Sequence, residues 1–482
     1  MKVRAITLFI SAPNFGQLCA RLEASAAFFR TAIAELRAQG VALQMVRVAT
    51  NGFDQWADAA TDAALAQLRE LDARLAALER ALGSGIAVIG SVGQLDARLT
   101  DGVLVRALAT TSRLFASVAM RTDADGLPDL ERARECADLI LALNAATRAS
   151  GGLVIDGPLA GAPFCFKLAI TAQLGPGTPF FPGAYAPAPG EAAERLSPAG
   201  SAWRAPAFAF ACENSDLLVR AFARARRAVE PAEQAAEPNG AAHAQVGSAV
   251  LRAASHELEK EFALLVGQLD ALGERIEALS DGVVFAGTDS SVASASRADE
   301  SLVLAFESLG LGAFGGAGTT AVCALVTSVL KRLPFRLVGY CGLMLPQTED
   351  AGLGALAARG GLPISALLLN SAVCGTGIDT VVVPGATSAE QLAALYCDVG
   401  SMATRLRKPL SARVWPAVGA REGDPVRLSC PFFVGSAALP LDPPTGAEVA
   451  RGRRRSPLLC FGAGFALAAA LAAAFARART AR

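Results

Sequence analysis

The sequence predicts an α/β protein in which helices cover a largely parallel sheet. Apolar runs typical of strands alternate with amphipathic stretches of helical periodicity, as in folds built from successive βα units. Hydrophobic residues make up 52% of the 482 residues and charged residues 18%, which excludes disorder for most of the chain. At about 150 residues per domain, this length corresponds to roughly three domains or to one large α/β barrel.

The individual elements follow from the spacing of the apolar residues. Short continuous or alternating apolar runs favour strands, whereas apolar residues three and four positions apart favour helices, two of which stop at Gly40 and Gly83. Strands are predicted over residues 3–11, 41–50, 86–90, 114–122, 153–155 and 366–370. Helices are predicted over residues 17–39, 57–82, 130–149, 213–228, 246–280, 300–309 and 321–331.

The chain divides into a long body and a short C-terminal region. The predicted body spans residues 1–441 and contains two irregular segments rich in Pro, Ala and Glu or Gly, 175–206 and 229–242. A segment as long as 175–206 with no regular structure is either a functional lid or a solvated loop. A basic linker over 442–456 and an uncharged run over 457–476 complete the chain.

The uncharged run over 457–476 lies between arginine-rich flanks. At 1.5 Å per residue, a helix of this length spans about 30 Å, the thickness of the hydrocarbon core of a bilayer. We therefore expect a transmembrane tail helix that anchors a cytosolic body to a membrane. The alternative is an alanine-rich helix that packs on the body or on a partner.

Composition removes several classes of function. The 44 basic and 44 acidic residues give zero net charge, which argues against nucleic-acid binding, since that affinity depends on cationic groups. Only two histidines are present, too few to expect a multi-histidine zinc site or a Ser-His-Asp triad. The ten cysteines stand singly with no CxxC spacing, so a reducing compartment is expected rather than a disulfide framework.

A glycine-rich loop precedes the predicted helix over 321–331. Residues 310–315 match G-x-G-x-x-G, but they follow a helix rather than the strand that a dinucleotide site requires. Free backbone N–H groups at the start of a helix favour an anion. The predicted anion-binding residues are Gly315, Gly316, Gly318 and Thr319. The alternative is a tightly packed turn.

A second glycine-rich bend, CGTGID, carries a thiol and a carboxylate. We expect Cys374 and Asp379 to reach a pocket as catalytic groups, together with Asp289 in AGTDSS. The alternative is a buried cysteine and a turn-capping aspartate. Polar residues at other predicted strand ends are further pocket candidates, where carboxylates could hold a cation or transfer protons. They are Arg47, Asn51, Glu213 and Glu349.

Seven blocks resemble, in order, a bacterial and archaeal family of unknown function described as pyruvate formate-lyase-like. They fall within residues 1–440 and read VRAITLFIS, VRVATNGF, TPFFPGAY, ENSDLL, FGGAGT, GLMLPQTED and VCGTGIDTVVVPGATS. The resemblance implies the large ten-stranded α/β barrel of glycyl radical enzymes, with a hairpin inside the barrel, in a homodimer. The activity of that family is unknown.

The chain departs from true glycyl radical enzymes at the residues their chemistry needs. Those enzymes carry Arg-Val-x-Gly near the C-terminus, whereas Pro416 takes the place of the glycine here, and no Cys-Cys pair is present. The resemblance leaves Cys374 as the candidate hairpin-tip thiol. Ala386 and Gly183 also differ from the residues expected in the family. We therefore expect no functional glycyl radical.

These observations predict a barrel protein that binds or transforms a small anionic metabolite in a pocket at the barrel mouth. The alternatives are a non-catalytic metabolite-binding protein and a membrane-anchored scaffold. The expected partners are a small-molecule ligand, a second copy of the chain and a membrane contacted through residues 457–476, with no nucleic acid. The sequence identifies neither a metal nor a cofactor.

Overall fold

Nine strands form the central sheet of the computed structural model, which describes residues 2–83, 85–96, 102–123, 125–149, 157–196, 202–235, 240–293 and 296–441. The strand order is β7-β6-β1-β2-β3-β4-β5-β9-β8. The strands are β1 Lys2–Ile10, β2 Ala42–Thr50, β3 Ala87–Leu95, β4 Leu114–Ala119, β5 Leu168–Ala172, β6 Ala207–Cys212, β7 Val284–Asp289, β8 Gly377–Pro384 and β9 Leu410–Ala417. A separate pair joins β10 Pro425–Val426 to β11 Ser436–Ala437.

The sheet consists of two groups of strands that run in opposite directions. Strands β1 to β5 are parallel to one another and form the N-terminal strand group. Strands β6 and β7 are parallel to each other, as are β8 and β9, and these four form the C-terminal strand group. The two groups meet at two antiparallel pairings, β1 with β6 and β5 with β9.

The segment from Leu337 to Pro346 contacts both edge strands of this sheet. Single parallel bridges join Leu337 to Thr288 at the end of β7, and Pro346 to Asp379 in β8. A further bridge joins Leu343 to Val292, beyond β7. The prediction of a largely parallel α/β sheet with outer helices is confirmed. The sheet has nine hydrogen-bonded strands rather than the ten of the implied barrel. The segment from Leu337 to Pro346, between its two edge strands, makes only isolated bridges.

Helices connect the strands, as parallel pairing requires. Several begin or end at residues suited to that position. Asn14 precedes the first helix and accepts a hydrogen bond from the Gln17 N–H, and Gly83 ends the second helix in a left-handed conformation. The helices are α1 Phe15–Ala38, α2 Thr61–Leu82, α3 Val103–Thr110, α4 Leu130–Ala149, α5 Ser215–Ala235, α6 Gly240–Ala278, α7 Leu302–Ser308, α8 Thr319–Lys331, α9 Ala351–Ala358, α10 Ile364–Ser371 and α11 Ala389–Leu406.

Two predicted elements are wrong. Residues 366–370 lie in α10 rather than in a strand, because a short apolar run rich in leucine has no period that separates a strand from a buried helix. Residues 229–242 are helical over most of their length, since α5 continues to Ala235 and α6 begins at Gly240. The alanine, glutamate and glutamine around Pro231 are strong helix formers and outweigh that proline.

The C-terminal region contributes little to the part of the chain that the structure describes. The chain falls into two units, Met1–Leu439 and Pro440–Arg482. Both the predicted basic linker over 442–456 and the predicted tail helix over 457–476 lie outside the described residues. Among the described residues, no helix combines the length and apolarity needed to cross a bilayer.

Lys167 lies fully buried just before β5. Its ammonium donates hydrogen bonds to the carbonyls of Leu108 and Thr111 and lies 5.3 Å from the centre of the Phe164 ring. Burial lowers the pKa of Lys167 to about 7. The side chain therefore releases its proton far more readily in the folded protein than in the unfolded chain, where the lysine pKa is about 10.4.

We expect the free energy of unfolding to rise by about 1.5 kcal/mol between about pH 7 and pH 8.5 on account of Lys167. In that window the unfolded chain keeps the lysine proton that the folded protein loses, so raising the pH favours the folded state. Urea denaturation at both pH values, with wild type and Lys167→Met, measures the effect. The variant lacks this rise, and an equal pH dependence in both proteins contradicts the assignment.

Candidate ligand-binding site

One face of the sheet lines a buried cavity. Seven strands contribute to it, and the segment from Tyr340 to Glu349 completes the wall. Within this cavity, the centre of a water molecule can reach a volume of about 60 Å³. One water needs roughly 10–15 Å³ on this measure, so the cavity suits a compound of a few non-hydrogen atoms. The strand residues that line it are Arg4, Met45, Arg47, Ile89, Phe115, Ala169, Asp379, Ser411 and Arg413.

Part of the long irregular segment covers this cavity. Residues 177–184 are buried, and Phe180, Phe181, Pro182 and Gly183 line the space beneath them. The carbonyl of Pro179 accepts hydrogen bonds from the strands below, 2.8 Å from Arg47 Nη1 and 2.9 Å from Thr7 Oγ1. This stretch is therefore a packed cover rather than a solvated loop.

Two arginines and two carboxylates form a continuous network in the cavity wall. Arg4 Nη2 lies 2.8 Å from Glu349 Oε2, and Arg413 Nη2 lies 2.9 Å from Glu349 Oε1. Arg413 Nε also donates to Asp379 Oδ1 at 2.8 Å. Glu349 thus has each oxygen bound by a different guanidinium, whereas Asp379 receives one bond at one oxygen.

The environments of the two carboxylates shift their pKa values in opposite directions. Burial alone raises the pKa of Glu349, but the charges of Arg413 and Arg4 outweigh burial and hold that pKa below its usual value. Burial, together with the negative charge of Glu349, raises the pKa of Asp379 despite the charge of Arg413. The two neighbouring carboxylates therefore differ in how readily they take up a proton, with Glu349 the more acidic of the pair.

Arg47 is the cavity arginine that forms no ion pair with any carboxylate that the structure describes. It is 4% exposed and donates to the Pro179 carbonyl and to the sulfur of Met45. Its guanidinium carbon lies 5.1 Å from the centre of the Phe181 ring. Among the described residues, no carboxylate reaches ion-pair distance of Arg47. Burial, and then the charge of Arg4, lower the pKa of Arg47 well below the usual value, although the charge of Glu349 acts in the opposite direction.

Three non-glycine residues beside the site adopt left-handed backbone conformations. Each directly follows a residue of the cavity wall or of its ion-pair network. The pairs are Glu213 and Asn214 with φ of 43°, Tyr340 and Cys341 with φ of 45°, and Asp379 and Thr380 with φ of 45°. The conformation costs on the order of 1–3 kcal/mol per residue and persists only where surrounding contacts impose it.

Two glycines allow the loops that carry the acidic residues to cross closely. A Cβ on Gly342 would lie 2.6 Å from the Cα of Gly375, and one on Gly375 would lie 2.8 Å from the carbonyl carbon of Gly342. The Gly375 N–H donates to the Leu343 carbonyl across the same contact. Since backbone lies on both sides, only glycine fits, and the crossing places the two segments that carry Glu349 and Asp379 beside each other.

The structure brings three predicted site residues together and places the others elsewhere. Arg47, Glu349 and Asp379 line the cavity, and Glu213 lies 3.7 Å from Arg4 at the edge of the network. Asn51, Asp289 and Cys374 are buried but do not line the cavity.

Those three buried groups bond to nearby backbone instead. Asn51 pairs with both backbone groups of Ala12. Asp289 accepts hydrogen bonds from the backbone N–H groups of Tyr340 and Cys341 and from Ser291. Cys374 Sγ accepts one from the Gly377 N–H at 3.4 Å. Asp289 and Asn51 therefore hold loops in place, and the Cys374 thiol bonds within its own bend.

The glycine-rich loop lies at the surface rather than in the cavity. Gly315, Gly316 and Gly318 are exposed, and the Gly315 N–H donates to the hydroxyl of Thr319. In the small pocket beside this loop, the centre of a water molecule can reach about 10 Å³, which is room for about one water molecule. Anion binding by this loop therefore stays a prediction, separate from the cavity.

Sequence reasoning missed Arg4 and Arg413. Arg413 is the single charge in β9, and Arg4 lies among apolar residues of β1, whose other charge, Lys2, is at the exposed start of the strand. Burial of such a charge requires a partner. That pattern was a usable signal. Within the described residues, no group of three or more His, Cys, Asp or Glu side chains is arranged to hold a metal ion.

Comparison with known proteins gives a consistent result over most of the chain. A family model described as "Uncharacterised ACR (DUF711)" matches residues 1–429. A UPF0210 protein of Pyrobaculum arsenaticum is 34% identical over 173 residues, 35% of this chain and 39% of that protein. The corresponding protein of Desulforudis audaxviator is 35% identical over 185 residues, 38% and 41% of the two chains.

A more distant relative extends the aligned region slightly. A UPF0210 protein of Listeria innocua is 31% identical over 204 residues, 41% of this chain and 45% of that protein. The alignments therefore span less than half of these curated relatives.

Proposed function

We propose, for a chain that belongs to the uncharacterised DUF711 family, that its cavity binds a small carboxylate-bearing metabolite at Arg47. The main support for this proposal is that Arg47 is buried and has no carboxylate partner among the described residues. A buried charge is stable only when it is paired. The planar guanidinium matches a carboxylate through two parallel hydrogen bonds, so a carboxylate supplies the missing partner.

Charge and size support the same class of ligand. The side chains that line the cavity include three arginines and two carboxylates, which leaves an excess of one positive charge for a monoanion to neutralise. Phe115, Phe180 and Phe181 supply apolar walls for the remainder of the molecule. The open volume favours a few non-hydrogen atoms over a nucleotide or a peptide.

We also propose that the segment from Leu337 to Pro346 acts as a tenth strand and closes the sheet into the barrel that the family resemblance implies. The parallel bridges to both edge strands support this closure. The hairpin inside the barrel, the homodimer and the tail anchor over 457–476 with a cytosolic body are proposals that rest on the sequence. Pro416, in the position of the radical glycine, supports a function without a glycyl radical.

Binding of small carboxylates tests the proposed function directly. We expect glycolate, L-lactate or propionate to raise the melting temperature at millimolar concentration, whereas the matching amides do not. Arg47→Met should weaken carboxylate binding by roughly 10- to 100-fold, because it removes a charge-assisted hydrogen bond. Titration calorimetry and thermal melts supply the measurements.

The exposed Arg134→Met serves as the matched control, since Arg134 forms its ion pairs at the surface. It should bind the same carboxylates as tightly as wild type. Undiminished binding by Arg47→Met, or no response of wild type to any of the three carboxylates, contradicts the proposal.

A further inference from the structure

We propose that Asp379 removes a proton from the carbon next to the carboxylate of the bound ligand, so that the protein catalyses hydrogen exchange at that carbon. The inference rests on the proposed function, since Arg47 must hold the carboxylate. It adds a reaction to what is otherwise a binding site.

The two oxygens of Asp379 are bonded differently. Oδ1 accepts a hydrogen bond from Arg413 Nε at 2.8 Å, which fixes the carboxylate in the cavity wall. No described residue donates a hydrogen bond to Oδ2. One oxygen therefore orients the group, and the other is available to a ligand.

The backbone also aims this side chain. The ladder between β8 and β9 pairs Ile378 with Ala412 and then Val381 with Val414, so its register shifts at Asp379 and Thr380. Thr380 adopts a left-handed conformation that a β-branched residue rarely takes. Irregularities of this kind re-aim a side chain beside functional sites.

Glu349 is unsuited to the same task. Its two oxygens are bound by Arg4 and Arg413, so it has no free oxygen with which to approach a C–H bond. Its fixed negative charge holds the two arginines in place. Asp379, whose pKa is raised by burial, is a stronger base than an exposed aspartate, and a base of that kind transfers protons more effectively near neutral pH.

The proposed step is balanced without an oxidant or a reductant. The C–H bond breaks, its proton forms an O–H bond at Asp379 Oδ2, and its electron pair moves into the ligand carboxylate, which becomes an enediolate. The second negative charge develops on oxygens that face Arg47, where a fixed guanidinium stabilises it. Asp379 exchanges its proton with solvent and returns one to the same carbon.

Deuterium incorporation tests the step. In this test the full chain is incubated in D₂O with glycolate, L-lactate or propionate, and NMR follows the α-proton signal of each compound. Wild type should speed loss of at least one α-proton signal. Asp379→Asn should slow that exchange by roughly 10²- to 10⁴-fold, the usual contribution of a positioned base, while its melting temperature still rises with the same carboxylate. Asp138→Asn, at an exposed ion pair with Arg134, should exchange as wild type does.

The outcomes separate this proposal from the binding proposal. Wild type that binds a carboxylate but exchanges none of its α-protons overturns the proton transfer and leaves binding at Arg47 intact. Exchange by Asp379→Asn at the wild-type rate overturns the role of Asp379. If Asp379→Asn does not fold, the exchange measured with wild type still tests the proton transfer. Arg47→Met should then lose exchange together with binding.

Discussion

Replacing Arg47 with methionine is expected to stabilise the ligand-free protein by roughly 1–3 kcal/mol, even though it weakens carboxylate binding. The guanidinium is buried and has no carboxylate within ion-pair distance among the described residues, so its desolvation is uncompensated. Methionine has similar length and packs favourably on Phe181. The Pro179 carbonyl keeps its hydrogen bond from Thr7, so the substitution leaves no new orphan acceptor there.

A second buried arginine provides the matched comparison. Arg132 is 2% exposed, but it forms an ion pair with Glu135 at 2.9 Å and donates to the Ala119 carbonyl. Arg132→Met should therefore lower the free energy of unfolding, whereas Arg47→Met should raise it. Urea denaturation of the ligand-free proteins measures both. If Arg47→Met destabilises the protein as much as Arg132→Met does, the guanidinium is a structural group rather than a ligand-binding one.

Replacing Arg413 with methionine is expected to destabilise the protein by about 3–5 kcal/mol near neutral pH. The change removes the partner shared by Glu349 and Asp379, which lies 2.9 Å from one and 2.8 Å from the other. Two buried carboxylates then lie close together with one guanidinium, that of Arg4, remaining in contact with Glu349. The desolvation cost of both charges persists while most of the compensation is lost.

The deficit of Arg413→Met should shrink as the pH falls. The pKa of Asp379 is raised by burial even in the presence of Arg413, and loss of the Arg413 charge raises it further. Protonation of Asp379 therefore favours the folded variant, and stability is lost as the pH rises through the folded pKa. Urea denaturation near pH 7 and near pH 5 measures the change. Adding Asp379→Asn should recover part of the loss at neutral pH, a coupling that a double-mutant cycle detects. A deficit that is independent of pH and of Asp379 contradicts the assignment.

The first four strands and most helices were predictable because they depend on local periodicity. Helix α4 begins and ends at the predicted residues, 130 and 149. The prediction fails at α10, where an apolar run of strand length folds as a helix. It also misses β5, β6, β7 and β9, although β5 and β6 are entirely buried. Strand order and the antiparallel contacts of β1 and β5 depend on distant segments, which local periodicity does not encode.

The site was predictable only in part, for a similar reason. Arg47, Glu349 and Asp379 stand out as polar residues next to apolar runs, and they do line the cavity. Asp289 has the same local pattern, yet backbone N–H groups from residues 340 and 341 occupy its oxygens. A sequence shows which carboxylates are available but not which ones the backbone of a remote loop will bind.

The opposed strand groups have a consequence for how the protein folds. The N-terminal group supplies the cavity cations Arg4 and Arg47, whereas the C-terminal half supplies Glu349, Asp379 and Arg413. A fragment limited to the first five strands would leave two arginines on its apolar face without counter-charges. Pairing of Arg4 with a buried carboxylate thus requires the assembled sheet, which makes the halves interdependent and favours a single cooperative unfolding transition for the body.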